Sequence, residues 1–470
     1  MASGRARARG AGPRTYHGAG ARCRAAQRGR LTTLAELALF AALFVAVFAV
    51  ISGFFGAQRR RPTFLHAALR AIPIVAGLVA IATLGLAVAL VQADLSVRYV
   101  AEQTTLNLPV SYRLSALCSG DAGQRLAFAL MVACCAIVAS RGHSGLGTGA
   151  RWTPMMIALV VLAAVTWAAL GSPLARLPWQ PLEGRGMLPQ LRTPLAAAVP
   201  PVTLLAHAIL VVTLPLALDA GRLARVTPWL IAAWFSAGTA ITGGLALADR
   251  DPARNSALGL AGPTTFAMWW GVTLILLLPP TRGWWWPAGK PLRRALVAAA
   301  LVGGALIAVS LAGRRNAVVH TAILGQGESG RFADAFDSDW SLAQQGVSIF
   351  RDGDADVTAV TVEAQRVGGS AHELLVPEWR QFLDSRGEEV FGPLSLPAIA
   401  RSARQDIVVT MVRPMPNAAR LRIEFRPLAS WLWIGCALVL GAGAAAWLTS
   451  LRTVPNAQSL RVAAGRAPRG

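Results

Sequence analysis

Uninterrupted apolar runs as long as a bilayer is thick constrain this chain more than any other feature of its sequence. The stretch 71–91, for example, contains no charged residue, and about 20 such residues cross the hydrocarbon core of a membrane as a helix. The composition agrees, because 54% of the 470 residues are hydrophobic and 14% are charged, whereas soluble proteins carry about 25% charged residues. A soluble fold is excluded, and the sequence predicts a polytopic membrane protein.

The apolar runs predict about nine transmembrane helices, joined by loops that alternate between the two sides of the membrane. The shortest of these runs is the third. The predicted spans are 33–56, 66–92, 126–140, 153–171, 197–218, 227–248, 263–280, 293–312 and 429–449.

The segment before the last predicted span has a different character. It contains short runs rich in β-branched residues, such as 345–350 and 357–363, separated by Asp-Gly and Gly-Gly turn signals. Further candidate strands are 406–412 and 419–425. The segment 313–428 is long enough to bury a core of its own. The predicted fold class is therefore an α-helical polytopic membrane protein with a small extracytoplasmic β-rich domain, antiparallel in its strands, before the last helix.

The net charge of +22 follows membrane topology rather than nucleic-acid binding. Arginines concentrate in one set of alternating loops, which includes AQRRRPTF at 57–64, while the segment 314–427 balances 15 acidic residues against 13 arginines. The positive-inside rule places the basic loops in the cytoplasm and the β-rich domain outside, in the periplasm or its equivalent. No nucleic-acid partner is expected.

The N-terminal segment conflicts with that topology. Nine spans would leave it outside, yet residues 1–30 contain eight arginines and no acidic residue. We interpret residues 1–32 either as a disordered extension or as sequence upstream of the true start codon, and we favour the second interpretation. The predicted organisation is that extension (1–32), a transmembrane domain of about eight helices (33–312), the periplasmic domain (313–428), the final helix (429–449) and a basic cytoplasmic tail (450–470).

Five segments on the predicted outer side carry unusually specific patterns. Two are loops, ADLSVRYVAEQTTLNLPVSYRLSAL at 93–117 and SPLARLPWQPLEGRG at 172–186. The other three lie in and after the β-rich domain, and they are HELLVPEWRQF at 372–382, ARQDIVV at 403–409 and RPLASWLWIG at 426–435. In this order, the segments resemble motifs of the CcmF family of cytochrome c maturation proteins. The resemblance covers most of residues 33–450.

This resemblance implies a membrane subunit of the cytochrome c heme lyase, which assists heme delivery or attachment to apocytochrome c. It implies heme b as cofactor. As partners it implies a heme chaperone, apocytochrome c and other cytochrome c maturation subunits, in the bacterial inner membrane. In such a site axial histidines hold the heme iron, and a tryptophan-rich loop gives the porphyrin an apolar stacking surface.

The sequence departs from the family pattern where the heme is handled. The tryptophan-rich motif of the family has no counterpart in residues 243–270, and family histidines are replaced by Val199 and Leu301. Whether heme lyase activity is retained stays open at this point. One alternative is a non-catalytic assembly scaffold that has lost the heme chemistry. A further alternative is an unrelated lipid-linked transferase, whose acidic candidates are Asp94, Asp249 and Asp251.

The weak candidates for a heme site are His207, His320, Trp269 and Trp270. His207 lies within the fifth predicted span, where ionisable residues are functional candidates, but we favour a histidine bonded to a neighbouring helix. His320 lies just beyond the eighth span, where it either faces heme or is solvated. His372 is expected to be exposed. The two tryptophans match at best the aromatic position that follows the family motif.

Arg176, Glu183, Glu378, Arg380 and Asp406 match family positions on the predicted outer side. One interpretation is that they dock partner subunits or heme propionates, since arginine forks pair well with carboxylates. The other, which we favour slightly for each residue, is a salt-bridged turn. No pattern predicts a metal site or a catalytic constellation, and the five cysteines show no CxxC spacing.

Overall fold

The helices form a multi-pass membrane bundle. The computed structural model describes residues 18–141, 151–179, 181–187, 192–217, 223–250, 269, 272, 290–352, 355–369, 372–383, 387 and 389–453. Within these residues the helices are α1 (Gly18–Arg59), α2 (Pro62–Val91), α3 (Arg98–Gln103), α4 (Val110–Ser115), α5 (Asp121–Arg141), α6 (Thr153–Leu170), α7 (Pro194–Ala217), α8 (Leu223–Arg250), α9 (Lys290–Arg315) and α10 (Trp431–Thr453).

Seven of the described helices are long and apolar enough to cross a membrane, namely α1, α2 and α5 to α9. The apolar part of α10, Trp431–Ala446, is shorter. The predicted polytopic membrane fold is confirmed, but the count of nine spans is not. The predicted span 263–280 lies outside the described residues except for Trp269 and Val272, which are both helical. Helix α1 begins at Gly18, inside the predicted extension 1–32.

Small residues allow α1 and α2 to pack closely as an antiparallel pair. Along α2, buried residues recur every three or four positions, including Ala68, Val75 and Val79, as expected of a helix with one packed face. At Gly85 an added Cβ would overlap the Cβ of Ala35 on α1. Close backbone approach at small residues is how membrane helices gain dispersion contacts without a hydrophobic driving force.

One end of the bundle carries the long connections that the structure describes, and we call it the loop face. There the start of the apolar part of α1, the connection 92–120 and the connection after α6 meet, because Arg176 binds Thr32 and Thr33. The β-rich domain lies on the same face, since the guanidinium of Arg192 sits 4.7 Å from the ring centroid of Phe382.

The β-rich domain consists of two antiparallel sheets. One has the order β1-β10-β9-β8, and the other has the order β2-β3-β4-β6-β7, with β5 also paired to β4. Alternating buried residues from both sheets, such as Leu342, Val362 and Leu421, form one core, as in other β-sandwiches. The strands are β1 (Val318–Gly325), β2 (Ser329–Ala333), β3 (Asp339–Asp352), β4 (Ala355–Arg366), β5 (His372–Leu375), β6 (Glu378–Leu383), β7 (Glu389–Leu396), β8 (Ala398–Ala400), β9 (Gln405–Pro414) and β10 (Ala418–Pro427).

Helices α9 and α10 carry this domain as a closely packed pair. An added Cβ on Gly303 would lie 2.7 Å from the carbonyl oxygen of Gly435, and Gly313 is pressed against the carbonyl of Pro427. The hydroxyl of Ser310 donates to the carbonyl of Ala429 at 3.2 Å. These contacts fix the sandwich to the two helices that enter and leave it.

Candidate functional site

The first family-like loop is held by its own motif residues. The carboxylate of Asp94 accepts hydrogen bonds from the backbone N–H and the hydroxyl of Ser96, at 3.2 and 2.7 Å, which is an Asx turn. The hydroxyl of Tyr99 donates to the carbonyl of Ala116 at 2.7 Å. Burial raises the pKa of Tyr99, so its phenol remains a hydrogen-bond donor. The carboxylate of Asp94, a candidate for the transferase alternative, is therefore used to hold this turn.

Arg113 closes the same loop, and sequence reasoning did not single it out. Its guanidinium donates to the carbonyls of Leu106, Leu108 and Val91, at 2.6, 2.7 and 3.1 Å. Val91 is the last residue of α2, where a cation also meets the negative end of the helix dipole. The available signal was the arginine after Tyr112 in LPVSYR, at the place where the family pattern has a lysine.

The second family-like loop runs along the first one. Val97 and Arg176 form an antiparallel bridge. On either side of it the Arg98 N–H donates to the carbonyl of Ala175 at 2.8 Å, and the Leu177 N–H donates to that of Ser96 at 2.9 Å. These backbone bonds join two segments that lie about 80 residues apart, which the sequence alone does not reveal.

Glu183 and Gly184 fasten the far end of this contact. The carboxylate of Glu183 accepts the backbone N–H of Leu106 at 3.0 Å. An added Cβ on Gly184 would overlap the carbonyl oxygen of Thr104, so only glycine allows the approach. Together, residues 93–120, 171–179 and 181–187 form what we call the loop platform.

The loop platform presents large apolar side chains to the outside. Trp179 is 66% exposed and Leu182 is 80% exposed. Val110 and Leu114 are also exposed, one turn apart on α4. Exposed apolar patches of this kind mark contact surfaces for proteins or membranes.

Glu378, Arg380 and Asp406 lie in the sandwich and are not part of the loop platform. Arg380 pairs with Glu378 at 2.7 Å and with Asp352 at 2.9 Å. Asp406 accepts the hydroxyl of Ser430 at 2.7 Å, just before α10. The structure therefore gives these residues ion-paired and hydrogen-bonded places within the domain, while Arg176 and Glu183 belong to the platform.

The described histidines occupy separate elements. His207 lies in α7, roughly 20 Å below the loop face at 1.5 Å per residue. Its Nδ1 is 2.8 Å from the carbonyl oxygen of Thr203, one turn earlier in the same helix, and among the described residues it is not bonded to a neighbouring helix as we predicted. His320 on β1 bonds through Nε2 to the carbonyl of Ala333. His372 pairs with Glu363, and His66 is exposed near the start of α2.

Trp269 packs inside the bundle. Its ring stacks on that of Trp234 on α8, with centroids 5.6 Å apart and planes at 21°. Gly443 on α10 makes room for Trp234, because an added Cβ there would overlap the indole. Trp269 therefore has a packing partner within this chain. Trp270 lies outside the described residues.

These residues do not fit a heme held by two axial histidines. Such a site needs two imidazoles that face each other, and among the described residues His207 has no second histidine at its depth. Of the undescribed residues, those within 251–289 include no histidine, and His17 and His143 lie in other segments outside the described part. No group of three or more metal-ligating side chains occurs in the described part of the chain. Burial raises the pKa of the Cys118 thiol to about 11, which disfavours the thiolate as a ligand.

Comparison with known proteins decides the fold. No family model matches the chain. A solved structure, the cytochrome c heme lyase CcmF, matches with a TM-score of 0.64 at 14% identity, covering 90% of this chain and 98% of the other. The chain has the CcmF fold.

The sequence relationship is more limited than the CcmF-like fold. The cytochrome c-type biogenesis protein ccl1 of Rhodobacter capsulatus is 28% identical over 209 residues, which are 42% of this chain. The chain spans about a third of that relative, 32% of its length. The resemblance to the CcmF family inferred from the loop motifs is confirmed, as a CcmF-like membrane fold.

Proposed function

We propose that this chain is a CcmF-like membrane subunit of a cytochrome c maturation system, and that it acts through the loop platform. The single observation that carries the proposal is that the two family-like loops are joined to each other by backbone bonds within a CcmF fold. Their motif residues fix the shape of one surface. A surface whose shape is fixed by so many hydrogen bonds is suited to the recognition of a partner protein.

The proposed location is the bacterial inner membrane, with the loop face and the sandwich in the periplasm. The support is the distribution of arginines, since the loops opposite the loop face, such as AQRRRPTF at 57–64, are the basic ones. Cytochrome c maturation places its acceptor on that side in the family that the chain resembles.

The proposed partners are other maturation subunits, a heme chaperone and apocytochrome c, and the proposed role is to assist heme delivery or attachment. The exposed Trp179 and Leu182 give such partners an apolar contact. Interfaces are enriched in aromatic residues at their centre.

A second candidate function is a non-catalytic assembly scaffold whose heme chemistry lies in another subunit. The observation that favours it is the isolation of His207 from every other described histidine. Both candidates use the same loop platform. They differ in whether this chain itself takes part in heme delivery or attachment.

The proposed function is tested by measuring how much heme is covalently attached to c-type cytochromes in cells. A strain that lacks the gene is complemented with wild type, with Gly184→Val, or with Gly77→Ala as control, because an added Cβ at Gly77 meets nothing within 4 Å. Heme staining of denaturing gels reports attachment, immunoblots report apocytochrome, and membrane fractions report the chain itself.

We expect the deletion to lose heme-stained cytochromes while apocytochrome is still made. Wild type and Gly77→Ala should restore the stain, and Gly184→Val should restore less at equal membrane level. Normal heme staining in the deletion strain would overturn the proposed function.

A further inference from the structure

Arginine and aromatic side chains gather where the sandwich meets the membrane helices. The arginines come from the last turn of α9 and from the turn between β8 and β9, and the aromatic residues come from the β2–β3 turn and the first turn of α10. We call this set the arginine collar, and it comprises Arg314, Arg315, Arg401, Arg404, Phe336, Trp431 and Trp433.

The β8–β9 turn is fastened to the start of α10. The indole N–H of Trp431 donates to the carbonyl of Ala403 at 2.7 Å, and the Leu428 N–H donates to that of Arg404 at 2.9 Å. The guanidinium of Arg401 lies 5.0 Å from the ring centroid of Trp433. This turn is therefore held at the level where α10 enters the membrane.

The end of α9 meets the same segment from the other side. Gly313 is pressed against the carbonyl of Pro427, and an added Cβ there would lie 3.8 Å from the Cβ of Leu428. Arg315 follows two residues later as the last residue of α9 and is exposed. Arg315 and Arg404 therefore lie on either side of the backbone at Pro427 and Leu428, just before α10.

The aromatic members place the collar at headgroup depth. Trp431 is 36% exposed and Phe336 is 37% exposed, and the guanidinium of Arg404 lies 4.3 Å from the Phe336 ring centroid. Trp431 and Trp433 lie in the first turn of α10, and tryptophans at the ends of membrane helices are typical of the interface between hydrocarbon and water.

The charge of the collar complements a phosphate. The acidic groups of the sandwich base are buried and bonded within the domain, with Asp334 accepting from Gln405, Asp406 accepting from Ser430 and Glu424 accepting from Arg426 at 2.8 Å. Asp337 is exposed nearby, and the two exposed arginines Arg315 and Arg404 outnumber it. Guanidinium forks match phosphate oxygens in geometry as well as charge.

We propose that the arginine collar binds the phosphate of an anionic phospholipid headgroup and so fixes the sandwich relative to the membrane surface. This inference does not depend on a role in cytochrome c maturation.

The test uses the full chain purified in mild detergent and titrated with phosphatidylglycerol, with phosphatidylcholine, or with inorganic phosphate. The variant is Arg315→Gln/Arg404→Gln. Its matched control is Arg413→Gln/Arg420→Gln, a pair of exposed arginines that face each other across β9 and β10 at the other end of these strands. The readout is the shift in Tm on addition of each probe.

Phosphatidylglycerol should raise the Tm of wild type and of the control, and the collar variant should lose most of that shift. An equal shift with phosphatidylcholine or with inorganic phosphate would overturn the proposal, as would a full shift in the collar variant. If the collar variant unfolds without lipid, Arg315→Lys/Arg404→Lys keeps the charge and should retain the shift. Loss of the shift in that folded lysine variant would overturn the role of charge.

Discussion

At the residue scale, Asp334 holds the two sheets of the sandwich together. It accepts backbone N–H groups from Phe336 and Ser338 at 2.7 and 2.9 Å. It also accepts the side-chain N–H groups of Trp340 and Gln405, at 3.1 and 2.7 Å. Burial alone would raise its pKa, but these four hydrogen bonds favour the carboxylate and hold the pKa of Asp334 below its ordinary value.

The lowered pKa predicts acid sensitivity of the sandwich. A carboxyl whose pKa is lower in the folded state stabilises the fold above its unfolded pKa, and the contribution is lost as the pH falls through the folded pKa. We expect Asp334→Asn to lower the Tm at pH 7 and the difference from wild type to shrink below about pH 4. Thermal melts in detergent between neutral and acidic pH measure this, and a difference that stays constant with pH would contradict it.

Gly184 sets the distance between the two family-like loops. Because a Cβ there overlaps the Thr104 carbonyl oxygen, Gly184→Ala must push the loops apart. We expect a loss of about 1–3 kcal/mol in stability, as for overpacked sites, measured as a lower Tm of purified protein. Gly77→Ala is the control, and an equal Tm for the two variants would refute the close approach.

At the element scale, Arg113 ties the first loop to the end of α2. Arg113→Lys keeps the charge but loses the planar fork that reaches three carbonyls. We expect the free energy of unfolding to fall by about 1–3 kcal/mol. We also expect faster hydrogen exchange of the backbone amides in residues 104–109.

Arg98→Lys is the control for that variant, since Arg98 makes an exposed ion pair with Glu102, and such pairs contribute little. Unchanged exchange in residues 104–109 of Arg113→Lys would show that the loop does not depend on the fork.

The elements themselves were largely predictable from the sequence. Apolar runs locate the membrane helices because length alone decides which runs can span a bilayer. Alternation at 357–363 likewise predicted a strand that lies within β4. The bonds between the loops were not predictable, because nothing in the sequence near Val97 indicates a partner at Arg176.

The contacts of the candidate residues were not predictable from the sequence, because their partners are distant along the chain. Arg380 matched a family motif, yet its partner Asp352 comes from another strand. Trp269 was a heme candidate, whereas its ring stacks on Trp234. Arg113 was overlooked because a lone arginine in a loop is usually solvated.

At the scale of the whole molecule, the chain keeps the CcmF frame and the loop platform while its described histidines are scattered. His207 retains one ring nitrogen that is not bonded to Thr203, but a heme with two axial histidines needs a second imidazole. We therefore propose that the loop platform serves recognition, and that the described part of this chain does not by itself ligate a heme iron with two histidines.

Heme content tests that separation most directly. The full chain, expressed in a host with its own maturation system, is purified in mild detergent, and a pyridine hemochrome assay is run beside reduced and oxidised spectra. His207→Ala is compared with His372→Ala as the control histidine. We expect folded, monodisperse protein with far less than one heme per chain. Near-stoichiometric b-type heme in wild type and His372→Ala, lost in His207→Ala, would contradict it.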